Sequence, residues 1–316
     1  MRVVYVVLSH RNPEQVLRLV RALSEGPAAR VLVRHSQSTS RVAGAAVERA
    51  GGALIDDDVE LEWGGWSQLA LILSCLRRAA ELEPDWTLVL SGQDYPLRPL
   101  VDIEADLAAS DSDARLGSVR EIEPRRLTGR TDEFFLRTAY RHYRRPRWLP
   151  ALPHALRPLL YVRDLPPHVG VRRLRPFTRD LAAWRRRRAP GGDREDAEVG
   201  CYASADWVTL GRRGLGAVLA AAEDRRLMRA FRRVAVPSEC FFATALLNEP
   251  DLRVERDHRR FTSFTAPGMP HPETLTSAGL DLALSSGADF ARKFDIEIDP
   301  DVLDRLDERR HAAQPR

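Results

Sequence analysis

The sequence predicts an α/β fold, a mostly parallel central sheet flanked by helices, from three stretches in its first hundred residues. Val3 to Leu8 is a wholly apolar run followed at once by Asn12-Pro13 and a helical pattern through Leu17, Val20 and Leu23. Trp86 to Leu90 is a second short, almost wholly apolar run, which suits a central strand covered on both faces. Between them, Leu69, Ile72, Leu73, Leu76 and Ala80 recur at three- and four-residue steps while Arg77, Arg78 and Glu81 fall between or beyond them. That spacing describes an amphipathic helix lying on a sheet. Ser91-Gly92-Gln93-Asp94-Tyr95-Pro96 then stops the second strand abruptly. In an open α/β sheet, ligands collect beyond such strand ends.

Taken in order, Asn12 is the expected cap of the first helix and Pro13 sits in its first turn. The helix start favours anions, but no glycine-rich fingerprint supports a dinucleotide site. Val31 to Val33 is the second strand, followed by Arg34-His35-Ser36, and Ala53 to Ile55 leads into Asp56-Asp57-Asp58. A carboxylate triplet after a strand is the kind of group that holds Mg²⁺ beside a diphosphate. From about 118 to 200 the text becomes rich in Arg, aromatic residues and Pro. Three readings are open there: a solvated insertion, an acceptor-binding lid, or a nucleic-acid surface. The last is opposed by 45 acidic residues against 49 basic ones and by the lack of a nucleic-acid module. Ser204 to Leu210 is expected to be a strand, and Ser238 to cap a helix running through Phe241, Phe242, Leu246 and Leu247, with Glu239 in its first turn. An acid there complements the helix dipole in any protein.

A chain of 316 residues with 44% hydrophobic content can bury a sizeable core, and one domain spanning 1–316, with a variable insertion at about 118–200, is expected. The opening apolar run is too short for a signal peptide and no stretch approaches the ~20 apolar residues of a membrane span, so a cytoplasmic protein is expected. Cys75, Cys201 and Cys240 are odd in number and unclustered, which points to buried reduced thiols rather than disulfides or zinc. Of the 49 basic residues, 48 are Arg; Lys293 is the single Lys. A compact ammonium retained against such a bias suits a site where a planar guanidinium does not serve equally, chance retention being the other reading.

Four ordered blocks carry a resemblance. They are Val7-Leu-Ser-His10-Arg-Asn-Pro-Glu14; WGGWS from Trp63 with LSGQDYPL to Leu97; Pro237-Ser-Glu239-Cys-Phe-Phe-Ala-Thr244; and His271-Pro-Glu-Thr-Leu275 with Phe290-Ala-Arg-Lys293-Phe-Asp295. Together they resemble the core-2/I-branching β-1,6-N-acetylglucosaminyltransferase family, which includes the peptide O-xylosyltransferases, in a bacterial-type soluble form. The resemblance implies a GT-A-like nucleotide-diphospho-sugar transferase fold. It also implies inverting transfer of a sugar, GlcNAc or xylose, from a UDP-sugar substrate to a hydroxyl of a glycan, small-molecule or protein acceptor. It implies neither metal nor cofactor: Asp56-Asp57-Asp58 stands in a connecting segment, and the strand matching the metal-bearing one ends in Asp94 alone.

By the same resemblance Glu239 is the general base, and Lys293 with Arg292 contacts the diphosphate. Trp63, Ser9, His10, Gln93 and Asp94 surround the donor, although Asp94 alternatively caps the turn before Pro96. Ser36 stands where the family has Asp. Trp207 is expected at the acceptor. Arg259 or Arg260 is expected to replace an arginine missing from His271-Pro-Glu273, and Phe261 to line the acceptor or join the core. Two other classes stay open: a catalytically weak sugar-nucleotide or glycan binder, and an arginine-rich nucleic-acid-binding protein.

Overall fold

The computed structural model describes residues 1–56, 61–62, 64–122, 133–144, 160–162, 168–172, 183–184, 200–265 and 271–312. The chain opens with β1 (Val3–Ser9), α1 (Pro13–Ser24), β2 (Ala29–His35), α2 (Gly44–Arg49), β3 (Gly52–Leu54), α3 (Trp66–Ala80), β4 (Trp86–Ser91), β5 (Tyr95–Pro96) and α4 (Leu100–Ala109). It continues through β6 (Ala114–Arg115), β7 (Arg120–Glu121), α5 (Glu133–Ala139), β8 (Tyr140–Arg144), β9 (Leu160–Val162), β10 (His168–Arg172), β11 (Tyr202–Ala203) and β12 (Thr209–Gly211). The last part holds α6 (Arg212–Glu223), α7 (Arg225–Phe231), α8 (Ser238–Leu247), β13 (Val254–Glu255), β14 (Arg260–Thr262), α9 (Leu280–Ser285), β15 (Phe290–Arg292) and α10 (Asp301–Ala312).

Seven strands form the central sheet in the order β13-β6-β12-β4-β1-β2-β3. The pairs β1·β2, β1·β4, β2·β3 and β6·β13 are parallel, while β12 runs antiparallel to both β4 and β6. The expected mostly parallel, helix-flanked α/β sheet is therefore what the chain forms. Strand alternation divides the core between two faces. Val3, Tyr5 and Val7 face α1, α4 and α10, whereas Val4 and Val6 face Leu71, Cys75 and Ala79 of α3. Further along that second face, α3 packs with α6 and α8 through Leu69, Leu76, Val218 and Phe241. All three cysteines are buried and none forms a disulfide. No helix among the described residues is long and apolar enough to cross a membrane.

Three local expectations differ from the structure in detail. Asn12 does not cap α1: it has φ 50° and its amide donates to Asp295 Oδ1 at 2.8 Å, tying the helix start to the C-terminal segment. Ser238 begins α8 without a capping bond from its side chain. Of the single strand expected over 204–210 only Thr209 and Leu210 are strand, in β12; Ser204 to Val208, with Asp206 and Trp207, form the connection from β11.

The C-terminal helix is locked by a buried ion cluster. Arg310, 1% exposed, donates to Glu25 Oε2 at 2.6 Å and Asp307 Oδ1 at 2.5 Å and lies 5.6 Å from the Tyr95 ring centroid. Tyr95 Oη donates to Asp307 Oδ1 at 2.7 Å, and Arg18 holds Asp307 Oδ2 at 2.6 Å. Removing one member of a buried ion cluster strands its partners. Arg310→Met is expected to destabilise the fold by about 3 kcal/mol. In urea unfolding this appears as a lower midpoint at unchanged slope; an unmoved midpoint would refute it.

Candidate active site

In the sheet order, β1 leads to β2 on one side while β4 lies on the other, so the direction of winding reverses between β1 and β4. The crevice beyond their carboxyl ends is where open α/β sheets bind ligands. Ser9 and His10 stand at the end of β1, His35 and Ser36 at the end of β2, and Ser91 to Asp94 at the end of β4. Ser9 Oγ and His35 Nδ1 are 2.8 Å apart, and Ser36 N donates to Ser9 O at 2.8 Å, so the first two ends form one bonded rim. Ser36 presents a half-buried hydroxyl, 3.0 Å from Ser38 Oγ, and His10 is exposed. Trp63, expected beside the nucleotide, lies outside the described residues, as do Asp57 and Asp58. Among the described residues no group of three or more His, Cys, Asp or Glu side chains is placed to hold a metal.

The end of β4 mounts the cations of β15. Asp94 is buried and accepts from Ser91 Oγ at 2.7 Å and Ser91 N at 3.1 Å, so it caps its own turn. Its Oδ1 also lies 3.2 Å from Arg292 Nε. Gln93 donates its amide to Phe294 O at 3.2 Å, and its backbone O accepts from Phe294 N at 2.9 Å. Buried Gln15 adds bonds to Gly92 O, Phe294 O and Ile296 N, each 3.0 Å. Gln93 and Asp94 thus help fix the segment that carries Arg292 and Lys293. Arg292 in turn stacks on Trp207, its guanidinium 4.5 Å from the ring centroid. Lys293, half-buried, follows directly.

Opposite stands a carboxylate pair. Glu239, in the first turn of α8, is ion-paired with Arg137 of α5. Beside it, Asp206 accepts from Gln68 Nε2 of α3 at 3.1 Å, while its Oδ1 has no hydrogen-bond partner among the described residues. Burial, then the Glu239 charge, pushes the Asp206 carboxyl up to about 7 against the opposing charges of Arg292 and Arg137. His271 links the two sides. Its imidazole is pushed down by burial and by the charges of Lys293 and Arg292, with Glu239 acting in the other direction. Lys293, Arg292 and Glu239 thus all act on His271, and Glu239, Arg292 and Arg137 on Asp206, which places these charges in one neighbourhood.

The remaining expected acceptor residues divide. Trp207 is at the site, under Arg292. Arg260 is buried behind it, donating to Val89 O at 2.9 Å; burial lowers its pKa to about 10, with Asp94 opposing and Arg292 adding to the effect. Arg259 is engaged with Asp289 at 3.5 Å and Asp106 at 3.8 Å. Phe261 packs against the core. Arg260 Nε and Nη1 have no hydrogen-bond partner among the described residues, and Arg259 and Phe261 are half-buried. Neighbouring His258 is pushed to about 4 by burial and by Arg260, and so stays neutral there. A Cβ on Gly117 would lie 2.2 Å from its ring, so glycine permits that close approach.

Asp206, Arg137, Gln68 and Gln15 are absent from the sequence-derived site. Asp206 carried a signal, since an acid in the middle of an otherwise apolar run is out of place in a buried strand. Arg137 carried none, being one of 48 arginines.

Comparison with curated protein sequences gives no match. Among solved structures the chain is similar to one described as a glucose-1-phosphate thymidylyltransferase from Bacillus anthracis with sucrose, at 7% identity over 80% of this chain and 86% of that one, TM-score 0.35. It is also similar to a CMP:2-keto-3-deoxy-manno-octonic acid synthetase complexed with CTP, at 14% identity over 73% and 82% of the two chains, TM-score 0.29. Likenesses this distant leave function unassigned. The sequence itself is decisive: residues 3–284 match the Core-2/I-Branching enzyme family, and the chain belongs to that family of glycosyltransferases.

Proposed function

We propose that this protein is an inverting glycosyltransferase that moves a sugar, GlcNAc or xylose, from a UDP-sugar to an acceptor hydroxyl without a metal ion. The supporting observation is the shared neighbourhood of His271, on whose imidazole the charges of Lys293 and Arg292 act in one direction and that of Glu239 in the other. Glycosyl transfer needs two things at once. The attacking hydroxyl must lose its proton, and the departing diphosphate must have its growing negative charge stabilised. Glu239 takes the proton, with Asp206 beside it as a second carboxylate poised near neutral pH. Lys293 faces the diphosphate, and Arg292, braced between Asp94 and Trp207, fixes where that ammonium stands. Displacement by the activated hydroxyl inverts the anomeric centre and leaves no covalent intermediate.

A second reading, sugar-nucleotide or glycan binding with little transfer, is favoured by the ion pair that engages Glu239. Release of UDP from a panel of UDP-sugars, with a hydroxyl acceptor mixture and with or without EDTA, separates the two. Turnover that survives the chelator is expected. Turnover abolished by chelator would overturn the metal-free mechanism, and UDP-sugar binding with no release would favour the second reading.

A further inference from the structure

The Arg137–Glu239 contact has two possible meanings, a block on the base or a support for it. Arg137 is 7% exposed and comes from α5, inside the 118–200 insertion. Its guanidinium bonds Glu239 Oε2, which leaves Oε1, and lies 4.3 Å from the Phe134 ring centroid. Arg120 lies 4.3 Å from the same ring, so an aromatic plate sits between two cations. Thr138 Oγ1 bonds Phe134 O and Phe135 O within α5, and His142 N, just beyond α5, donates at 2.9 Å to Arg233 O, five residues ahead of α8. The chain following α5 is therefore tied to the segment leading into α8 by a bond other than the ion pair.

We propose that Arg137 is a positioning residue for the transfer: it clamps one oxygen of Glu239 and directs the other at the acceptor hydroxyl, which makes the insertion part of the catalytic apparatus. The inference rests on the glycosyltransferase reading above. In the step it serves, the acceptor oxygen bonds to the anomeric carbon as the bond from that carbon to the diphosphate breaks. The electron pair of the broken bond leaves on the phosphate oxygen, and the acceptor proton passes to Glu239 Oε1. A guanidinium suits this task because its fork fixes direction as well as charge. The charged and titratable groups around the pair come from every neighbouring element. They are Arg137 from α5, Arg292 and Lys293 at β15, His271 from the loop before α9, and Asp206 and Cys240 beside Glu239. Among them Arg137 is one of two cations that favour the ionised form of Asp206. Its loss should raise the pH at which the carboxylate pair becomes competent.

The test compares wild type, Arg137→Met and Arg137→Lys for UDP release and acceptor transfer across pH, together with UDP affinity by calorimetry and thermal unfolding. Arg137→Met is expected to lose at least about tenfold in turnover and to shift the acid limb upward by about one pH unit, as removal of a nearby opposite charge does. UDP affinity should be unchanged. Arg137→Lys should return the acid limb to its wild-type position while recovering only part of the turnover, since it keeps the charge and loses the fork. An unmoved acid limb in Arg137→Met, or a loss that Arg137→Lys shares in full and that tracks a fall in UDP affinity or melting temperature, would overturn the proposal and leave a structural contact. Higher turnover in Arg137→Met would overturn it in favour of a block. A wild type that releases no UDP would sink the underlying reading as well, which distinguishes the two failures.

Discussion

Glu239→Gln is expected to keep UDP-sugar binding and to lose about 10²- to 10⁴-fold in turnover, the usual contribution of a positioned general base. The amide keeps the size of the side chain and a carbonyl oxygen for Arg137, but it cannot accept the acceptor's proton. Asp206 makes the experiment informative beyond its first result. A neighbouring carboxyl displaced to about 7 is half ionised near neutrality, and part of that displacement comes from the Glu239 charge. Replacing Glu239 by a neutral amide removes that repulsion, so Asp206 should ionise at lower pH in the variant. Residual activity, if carried by Asp206, should then be lost when Asp206→Asn is added. Full turnover in Glu239→Gln would remove the base assignment, and loss in Asp206→Asn with none in Glu239→Gln would transfer the role to Asp206.

Lys293→Ala should have an effect of similar size on the other half of the reaction. Removing a preorganised charge aimed at a developing anion costs about 10²- to 10³-fold in turnover. Binding of UDP should weaken too, because the diphosphate already carries charge in the ground state. Lys293→Arg is expected to recover only part of the loss. Its planar fork is longer, and the adjoining Arg292 is already fixed by Asp94 and Trp207, so a second guanidinium cannot take the same place. Steady-state kinetics with saturating donor separate the two effects: a change in KM alone would confine Lys293 to ground-state binding.

What was legible in the sequence follows from the range of each signal. The strands at Val3 and Trp86 and the helix from Trp66 to Ala80 were readable because burial on a sheet writes itself into consecutive residues. Ser204 to Leu210 mimicked a strand for the same reason. The strand pattern ends at Asp206, which accepts from Gln68, 138 positions away in sequence, and lies beside Glu239, 33 positions away. Caps at Asn12 and Ser238 obeyed local rules that the fold does not use, Asn12 being committed to Asp295. Within the site, Glu239, Lys293 and Arg292 were visible through the resemblance of short blocks. Gln93 and Asp94 were visible as residues, yet their actual task, holding the β15 cations in place, depends on hydrogen bonds that pair distant segments. Arg137 was invisible in principle, since nothing in an arginine-rich insertion distinguishes the one guanidinium that meets Glu239.

The physical centre of this account is the proposal that a protein ammonium receives the diphosphate while a carboxylate in the same site receives the proton. A crystal structure of the protein soaked with UDP in the presence of EDTA tests this most directly. The diphosphate is expected against Lys293, with the nucleoside over the ends of β1 and β4 and Glu239 open to the same space. A diphosphate bound away from Lys293, or Glu239 walled off in a different cavity, would contradict it.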